Sequence, residues 1–343
     1  MQKSPSRVVC LGEILFDRLA LNPSDSFAAV QSWQDYPGGA PANVACALVK
    51  LGTPAAFIGC VGQDEAGQEL VGILDSIGVD TSGIQKHPQA PTRKVYVLRN
   101  RKGDRSFAGF GDFKTEEFAD CFLQKSKLNQ KLLQEANFLV LGTLELAYPQ
   151  TRSAIFQALE LAKIFNLKVV LDVNRRPMFW PDEKEALPLI ERVLKFVNFL
   201  KLAEEEAEWL FSTRDVRAIA SRLPSLDGIL ITAGEKDINY CFGNNVGKVT
   251  PKAMKVEDTT GAGDAFVAGF IHKLLTGERR SPQAPSFHGG VTVTGNLSSL
   301  QEPNAAKQIV TYASAVGGLT VTKPGAIDAQ ATAAEVEKFL KMY

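Results

Sequence analysis

The chain has 343 residues, which suits one large α/β domain or two ordinary ones, and 45% of them are hydrophobic, enough for a core that needs no staples. Lysine and arginine balance aspartate and glutamate at 38 each, so the charge gives no indication of nucleic acid or an anionic membrane as a partner. Five scattered cysteines without a Cys-x-x-Cys pair favour a reducing compartment, and we expect neither a signal peptide nor a membrane span, hence a cytoplasmic protein.

The N-terminal part predicts a buried strand followed by a glycine turn and a helix. Residues 7–11 form a short apolar run closed by a glycine, which is typical of a buried strand. Asp17 follows where the chain would leave the sheet, a place where an acid usually solvates a turn. The paired glycines at 38–39 predict a turn that a ligand can approach closely. Small apolar residues at 43–51 then predict a buried helix, with Asn43 as an N-cap worth about 1 kcal/mol.

Residues 92–113 carry two runs that alternate polar and apolar side chains, at 93–98 and 105–110. A polar stretch at 100–104 separates them, and this pattern predicts a β-hairpin. Because one face of the hairpin is strongly polar, we expect it to lie outside the core.

From residue 128 onward the chain alternates strands with helices. This alternation predicts right-handed βαβ crossovers and a mostly parallel sheet covered on both faces, with ligands at the carboxyl ends of the strands. Residues 276–303 contain three prolines and interrupt the pattern, so we predict a long irregular surface loop there. The predicted strands are 137–142, 168–172, 196–201 and 228–232, with an amphipathic helix at 151–165.

Residues 257–270 have the most chemical content: an extended segment, a glycine turn, and an apolar helix that we expect to open at Asp264. Gly261 and Gly263 let a ligand approach the backbone, and the amides of Ala262, Gly263 and Asp264 at a helix N-terminus favour an anion. Asp264 is then either a helix-terminal acid, which stabilises by about 0.3–1 kcal/mol, or a general base aimed at a hydroxyl beside a phosphate.

Other phosphate and metal patterns are missing from the sequence. It contains no Gly-x4-Gly-Lys-Ser/Thr loop, and no Gly-x-Gly-x-x-Gly turn opens a helix after the first strand. His87, His272 and His288 are isolated and lack metal-ligand spacing, so we interpret them as surface or core residues.

Three segments resemble the PfkB family of ribokinase-like carbohydrate kinases. Residues 258–269 read Asp-Thr-Thr-Gly-Ala-Gly-Asp-Ala-Phe-Val-Ala-Gly, similar to the C-terminal family signature, and residues 38–67 look like the N-terminal one. Residues 172–180 are similar to the Asp-x-Asn-x-Arg-x-x-x-Trp element of fructokinases and 2-keto-3-deoxygluconate kinases. The resemblance runs from about residue 8 to the C-terminus.

This resemblance implies an α/β fold: one three-layer α/β/α domain over residues 1–343, with a mostly parallel central sheet and a small β-sheet lid. The lid would be formed by about 14–37 and 92–113, would cover a sugar, and could also join two subunits in a homodimer. The implied partners are a small-molecule sugar and ATP.

The resemblance also implies roles for individual residues. Asp264 would be the catalytic base, and the turn Gly261-Ala262-Gly263 would hold phosphate charge. The implied sugar ligands are Asp17, Gly38, Gly39, Asn43, Asn174 and Arg176. The implied nucleotide contacts are Lys201, Thr232, Gly234 and Glu235, together with Gly261 and Gly263. Glu206 would organise Mg²⁺ through water, although Ala203 stands where relatives carry asparagine or serine, and a K⁺ site would use oxygens of Asp258, Thr260, Lys323 and Gly325.

The implied activity is phosphorylation of a sugar by ATP with Mg²⁺ and K⁺, with fructose giving fructose 6-phosphate as the expected reaction. Asp17 suits a neutral polyol, and an unpaired buried charge would cost a sugar acid several kcal/mol. Residues 107–111 also lack the Tyr-Tyr-Arg cluster of 2-keto-3-deoxygluconate kinases, although Arg93 and Lys94 depart from common fructokinases. The alternatives are a 2-keto-3-deoxygluconate kinase, another PfkB sugar or nucleoside kinase, and a non-catalytic kinase-like binding protein.

Overall fold

A computed structural model describes residues 7–24, 26–99, 105–276 and 297–342, with the side chain of Arg105 left out. Within these ranges the chain forms thirteen strands and ten α-helices. The strands are β1 (Val8–Leu11), β2 (Leu15–Ala20), β3 (Trp33–Gly38), β4 (Ala55–Gly62), β5 (Asp80–His87), β6 (Lys94–Arg99), β7 (Arg105–Gly109), β8 (Phe138–Leu141), β9 (Lys168–Asp172), β10 (Phe199–Ala203), β11 (Gly228–Thr232), β12 (Ile238–Phe242) and β13 (Asn245–Val249). The helices are α1 (Ala40–Lys50), α2 (Glu65–Ile77), α3 (Gln130–Glu135), α4 (Pro149–Ile164), α5 (Ala186–Leu194), α6 (Glu204–Phe211), α7 (Val216–Arg222), α8 (Ala262–Thr276), α9 (Pro303–Thr320) and α10 (Ala333–Lys341).

The large sheet has nine strands in the order β13-β12-β11-β10-β9-β8-β1-β4-β5. Neighbours from β5 to β11 pair in parallel, and β12 and β13 continue the sheet in antiparallel fashion. The chain builds outward from β1 to β4 and β5, then returns to the other side of β1 with β8. This reversal between β1 and β8 is a switch point, where ligands of open α/β sheets usually bind.

Alternating strand residues feed two apolar cores, one on each face of the large sheet. Val9 and Leu11 belong to one core and Val8 and Cys10 to the other, as the period-2 geometry of a strand requires. The first core packs under α4 and α5, and the second under α1, α8 and α9. The prediction of a mostly parallel sheet covered on both faces is confirmed.

A second, four-stranded sheet has the order β3-β2-β6-β7. Strand β2 pairs with β3 antiparallel and with β6 in parallel, and β6 pairs with β7 antiparallel. The predicted hairpin strands are therefore present, and the turn predicted at 100–104 lies outside the described residues. The small sheet draws on both segments expected to form it, 14–37 and 92–113.

Several predicted boundaries are wrong. Helix α1 begins at Ala40 with Gly39 as its N-cap, so Asn43 lies inside the helix and is not its cap. Proline is tolerated in a first helical turn, which allows this earlier start before Pro41. Helix α8 likewise begins at Ala262, two residues before the predicted Asp264.

Two further predictions differ at their edges. The strand expected at 196–201 begins at Phe199, because the amides of Phe196 and Val197 bond back to the end of α5. The loop expected at 276–303 is only partly described, since residues 277–296 lie outside the described ranges. Its described C-terminal part is helical, with a 3₁₀ turn at Ser298–Gln301 before α9.

Candidate active site

A cavity of about 740 Å³ lies between the small sheet and the carboxyl ends of β1, β8, β9 and β10. Its position matches the switch point of the large sheet. The small sheet contributes mostly apolar side chains to it. The apolar ones are Leu15, Leu19, Val95, Val97 and Phe107. The polar side chains of Asp17 and Tyr36 lie among them.

The cavity brings together most of the residues that the sequence singled out. Five predicted residues do not line it: Gly38, Gly234, Glu235, Ala262 and Lys323. Those that do are Asp17, Gly39, Asn43, Asn174, Arg176, Lys201, Glu206, Thr232, Asp258, Thr260, Gly261, Gly263, Asp264 and Gly325.

Asp264 lies in the first turn of α8, where the helix meets the cavity. Asn43 donates from Nδ2 to Asp264 Oδ2 at 2.8 Å, across two helices that are far apart in sequence. Burial of the carboxyl and the negative charge of Asp172 raise the pKa of Asp264 to about 6, while the hydrogen bond from Asn43 acts in the opposite direction. A carboxylate with such a pKa is ionised at neutral pH and can still accept a proton.

The turn before Asp264 needs glycine for two different reasons. Gly261 has a φ of +77°, and a Cβ there would lie 3.0 Å from the Cβ of Ala326. Gly263 is helical and needs no unusual backbone angles, but a Cβ on it would lie 3.0 Å from Lys201 Nζ. The helix therefore starts close to a buried ammonium group, and its first-turn amides favour an anion.

Glu13 is a second buried carboxylate in the cavity lining. It follows β1, is 3% exposed, and accepts the backbone N–H of Ala40 through Oε1 at 2.8 Å. Gly39, with a φ of +105°, passes so close that a Cβ would lie 2.5 Å from the carbonyl oxygen of Glu13. Burial raises the pKa of Glu13 to about 7, although the bond from Ala40 acts against this. The sequence analysis did not single out Glu13, because its partner lies 27 residues away and gives no local signal.

Asn43 also carries a buried acceptor. Its Oδ1 finds no hydrogen-bond partner in the described part of the chain, although its Nδ2 is used by Asp264. An unsatisfied buried acceptor costs about 1–3 kcal/mol. A hydroxyl group of a ligand in the cavity would satisfy it.

Asp17 and Gly38 act as a pair. Asp17 lines the cavity from β2, and Gly38 lies on the neighbouring strand β3. A Cβ on Gly38 would lie 2.8 Å from Asp17 Oδ2, so the glycine leaves room for the carboxylate without reaching the cavity.

The ends of β9 and β10 hold a buried ion pair. Lys201 Nζ contacts both carboxylate oxygens of Asp172, at 3.0 and 3.1 Å. Burial disfavours the ammonium form, but the charges of Asp172 and Glu206 hold the pKa of Lys201 above its ordinary value.

Glu206 completes this end of the cavity. Its two oxygens accept the backbone N–H groups of Ala203 and Arg175, each at 2.7 Å. Burial and the charge of Asp172 raise the pKa of Glu206. Ala203 is the N-cap of α6 and has no side-chain acceptor, so Glu206 supplies only the return half of a capping box.

The donor set fits a hydrated divalent cation better than a directly chelated one. Both Glu206 oxygens are already engaged by amides, which leaves lone pairs that a metal-bound water could reach. In the described ranges no three His, Cys, Asp or Glu side chains are grouped to hold a metal ion. Mg²⁺ usually keeps several waters and binds through few carboxylates plus substrate phosphates.

Asp258 joins two loops beside the glycine turn. Its Oδ1 accepts from the amide and hydroxyl of Thr260, at 3.0 and 2.7 Å, and its Oδ2 accepts from the amide of Gly325 at 3.0 Å. The predicted segments around 258–260 and 323–325 therefore meet. Lys323 instead places its ammonium 3.4 Å from Glu335.

The remaining predicted contacts are mixed. Thr232 lines the cavity and donates to the carbonyl of Leu202 at 3.3 Å. Gly234 and Glu235 are exposed outside it. His272 is buried and bonded to Thr53 at 2.8 Å, in agreement with a core histidine, and His288 lies outside the described residues.

The model of the pfkB family of carbohydrate kinases matches residues 5–333. The chain is 32% identical to Fructokinase-2 of Solanum lycopersicum over 98% of this chain and 97% of that protein. It is 33% identical to Fructokinase-1 of Oryza sativa subsp. japonica, covering 97% of each.

Solved structures are similar over the same extent. A fructokinase from Xylella fastidiosa with bound ATP has a TM-score of 0.85 and 26% identity, covering 98% of each chain. A fructokinase double mutant from Vibrio cholerae O395, bound to fructose, ADP and a potassium ion, has a TM-score of 0.80 and 27% identity, covering 99% of this chain and all of that one. No helix in the described ranges combines the length and apolar character needed to cross a membrane.

Proposed function

The chain belongs to the pfkB family of carbohydrate kinases, and we propose that it transfers the γ-phosphoryl group of ATP to a primary hydroxyl of fructose, forming fructose 6-phosphate. The observation that carries this proposal is the place of Asp264. It stands in the first turn of α8 and is bonded to Asn43, in a cavity that the Asp172–Lys201 pair also lines. A sugar hydroxyl bound toward Asn43 and a phosphate bound toward Lys201 would meet at this carboxylate.

The chemistry follows from that position. Asp264 accepts the proton of the sugar hydroxyl, the hydroxyl oxygen forms a bond to the γ-phosphorus, and the bond to the ADP oxygen breaks. Asn43 holds Asp264 Oδ2 and so orients the carboxylate. Phosphoryl transfer needs mainly positioning and charge neutralisation from a protein. The amides at the start of α8 and the ammonium of Lys201 supply positive potential where phosphate charge would lie.

Mg²⁺ would be held through water by Glu206, and it would offset the negative charge of the ATP phosphates. The nucleotide would lie toward Thr232 and the start of α8. The remaining predicted contacts, Gly234 and Glu235, lie outside the cavity and would reach only the outer part of a bound nucleotide.

A neutral sugar fits the charges of the cavity better than a sugar acid. Glu13, Asp17 and Asp264 all line its sugar end. The cations in the described lining are Lys201, which is already paired with Asp172, and the exposed Arg176. The underside of the small sheet adds apolar side chains, so a carboxylate on the substrate would find few partners there.

Arg176 is the observation that favours a second candidate, a 2-keto-3-deoxygluconate kinase. Comparing kcat/KM for fructose, ribose and 2-keto-3-deoxygluconate at fixed MgATP decides between them. We expect fructose to be preferred. A preference for the acid by about tenfold, or about 1.4 kcal/mol, would overturn the fructose assignment. Absence of ATP turnover with a broad panel of sugars and nucleosides would favour a non-catalytic binding protein instead.

We also propose a K⁺ ion at the junction of the 258–260 and 323–325 loops. Asp258 links the two loops by accepting the amides of Thr260 and Gly325, and oxygens of both loops would supply the ligands. A cation there would fix the turn before ATP binds. Activity should therefore be higher in potassium than in sodium or tetramethylammonium buffers, and equal rates in all three would contradict the site.

Three broader assignments accompany this function. The whole chain would form one kinase domain, and the small sheet would act as its lid and could serve as a homodimer contact. The five cysteines are all unpaired and buried, which supports a reducing, cytoplasmic location.

A further inference from the structure

Arg93 is the feature that the catalytic geometry leaves unexplained. It directly precedes β6, and its carbonyl accepts the N–H of Phe16 on β2 at 3.1 Å, so its backbone extends the pairing of these two inner strands of the small sheet. Its side chain points the other way, into the body of the protein, where the guanidinium has no exposed surface. A fully buried arginine is rare and needs partners for its charge and its N–H groups.

Asp120 and Thr115 supply those partners. Arg93 Nε and Nη2 contact the two oxygens of Asp120 at 2.5 and 2.8 Å, a bidentate pair. Nη2 also donates to the carbonyl of Thr115 at 2.9 Å, and Nη1 to its hydroxyl at 3.2 Å. The chain enters the small sheet at Arg93 and has left it again at Thr115, so this cluster ties both crossings together.

The same cluster reaches the wall of the cavity. Thr115 Oγ1 lies 2.7 Å from the hydroxyl of Tyr148, which donates to the carbonyl of Phe179 at 2.9 Å. Phe179 lines the cavity and lies three residues after Arg176, in the loop that the sequence predicted to bind substrate. We call Arg93, Asp120, Thr115, Tyr148 and Phe179 the hinge network.

Aromatic rings enclose the guanidinium on its remaining sides. Its Cζ lies 4.6 to 5.3 Å from the ring centres of Phe110, Phe118, Tyr148 and Phe179. Phe110 follows β7, so the second crossing strand contacts the same group as the first. Apolar side chains could fill this space equally well, since replacing a buried ion pair by hydrophobic residues is often neutral for stability. Stability alone therefore does not account for an arginine here.

We propose that Arg93 is a positioning residue that fixes the small sheet relative to the Phe179 loop, so that the sheet closes on the sugar in one geometry. The proposal rests on the proposed kinase function. Without the network, the sheet would still fold but would meet the cavity wall less accurately. Sugar would then bind more weakly, and water would reach the phosphate more easily, because closure excludes water from such sites.

The decisive variant removes both buried charges at once. Arg93→Met alone would leave Asp120 buried and unpaired, so we choose Arg93→Met with Asp120→Leu. We expect its Tm to stay within about 3 °C of wild type. We expect KM for fructose to rise at least about tenfold while kcat changes by less than about threefold and KM for ATP is unchanged. The fraction of ATP hydrolysed without formation of sugar phosphate should also rise.

Tyr148→Phe is a second variant that perturbs the hinge network less. It removes the hydroxyl that donates to the Phe179 carbonyl at 2.9 Å and leaves the longer bond from Thr115 Oγ1, at 3.2 Å, in place. It should therefore raise KM for fructose in the same direction by a smaller factor. Tyr240→Phe is its matched control, because Tyr240 is equally buried but lies on β12, away from the small sheet. The control should leave both kinetic constants unchanged.

Each outcome decides the matter. A folded double variant with wild-type KM for fructose would overturn the role of Arg93 while the kinase function stands. If the double variant does not fold, Tyr148→Phe decides: a raised KM supports the hinge network, and an unchanged KM overturns it. A wild-type protein that phosphorylates no sugar would overturn the proposed function together with this inference.

Discussion

Two carboxylates of the cavity are held in different ways. Asp264 receives one amide hydrogen bond from Asn43 and has a pKa of about 6. Asp172, which lies nearby, is held on both oxygens by the ammonium of Lys201. The same residue type is therefore left without a bonded cation at Asp264, where we propose a proton acceptor, and is tied to a cation at Asp172.

The largest effect is expected when the carboxylate of Asp264 is removed. Asp264→Asn keeps the size of the side chain but cannot accept a proton, so we expect kcat to fall at least about 10²–10⁴-fold with little change in ATP affinity. Steady-state kinetics and nucleotide titration measure both effects. Asp237→Asn, at a surface carboxylate paired with Lys248, is the control and should have normal kcat. Near-wild-type turnover by Asp264→Asn would contradict the assignment of the base.

Loss of the cation paired with Asp172 should lower the stability of the folded protein. Lys201→Met leaves the buried Asp172 without its cation, and breaking a buried pair costs about 3–5 kcal/mol. Denaturant unfolding measures this loss. Lys168→Met is the matched control, because Lys168 lies on the neighbouring strand β9 in a pair with Asp227 that is partly exposed. It should cost less than about 1 kcal/mol, and equal losses for the two variants would show that the Asp172 pair is not special.

Asp264 should make both activity and stability depend on pH. Because its pKa lies near 6 in the folded protein, we expect kcat to drop about tenfold for each pH unit below 6, as the base becomes protonated. Folding stability should move the other way. The ordinary pKa is 3.8, so the folded state holds this proton more tightly, and the stability from Asp264 declines as pH rises from about 4 to about 6.

The control for that pH effect is again the amide variant. Glu13, with a pKa of about 7, shifts stability in the same direction, so the contribution of Asp264 is the difference between wild type and Asp264→Asn. A pH–rate profile with no break between pH 5 and 7 would contradict the raised pKa of Asp264.

The smallest effect is expected at Ala203, the N-cap of α6. Ala203 caps α6 without a side-chain acceptor, so Ala203→Ser should complete the capping box with Glu206 and stabilise the protein by about 1 kcal/mol. Ala203→Val also adds atoms but no acceptor, and it should not stabilise. Thermal unfolding compares them, and equal Tm values for the two variants would rule out the cap.

The elements that could be predicted from the sequence are those specified by a short local pattern of residues. Strands β9 and β11 match the predicted 168–172 and 228–232, because short β-branched runs between turn residues specify a strand by themselves. The glycine turn and Asp264 were identified for the same reason. Helix starts were less accurate, since Ala40 opens α1 only because a glycine with positive φ precedes a tolerated proline.

The unpredicted parts depend on partners distant in the chain. Glu13 bonds to Ala40 and Arg93 to Asp120, each pair 27 residues apart, and neither spacing follows a helix or strand period. A charged residue next to an apolar run normally indicates a surface. Only the packing of two sheets against each other shows that Glu13 and Arg93 are buried.

The bond between Asn43 and Asp264 has a consequence for synthesis of the chain. The two residues are 221 positions apart. At a translation rate of about 5–20 residues per second, that distance takes roughly 10–45 s to make. The N-terminal half can therefore order its strands and its side of the cavity while Asp264 is still missing. Under the proposed function, a nascent chain of this kind does not phosphorylate sugar until α8 emerges and docks on α1.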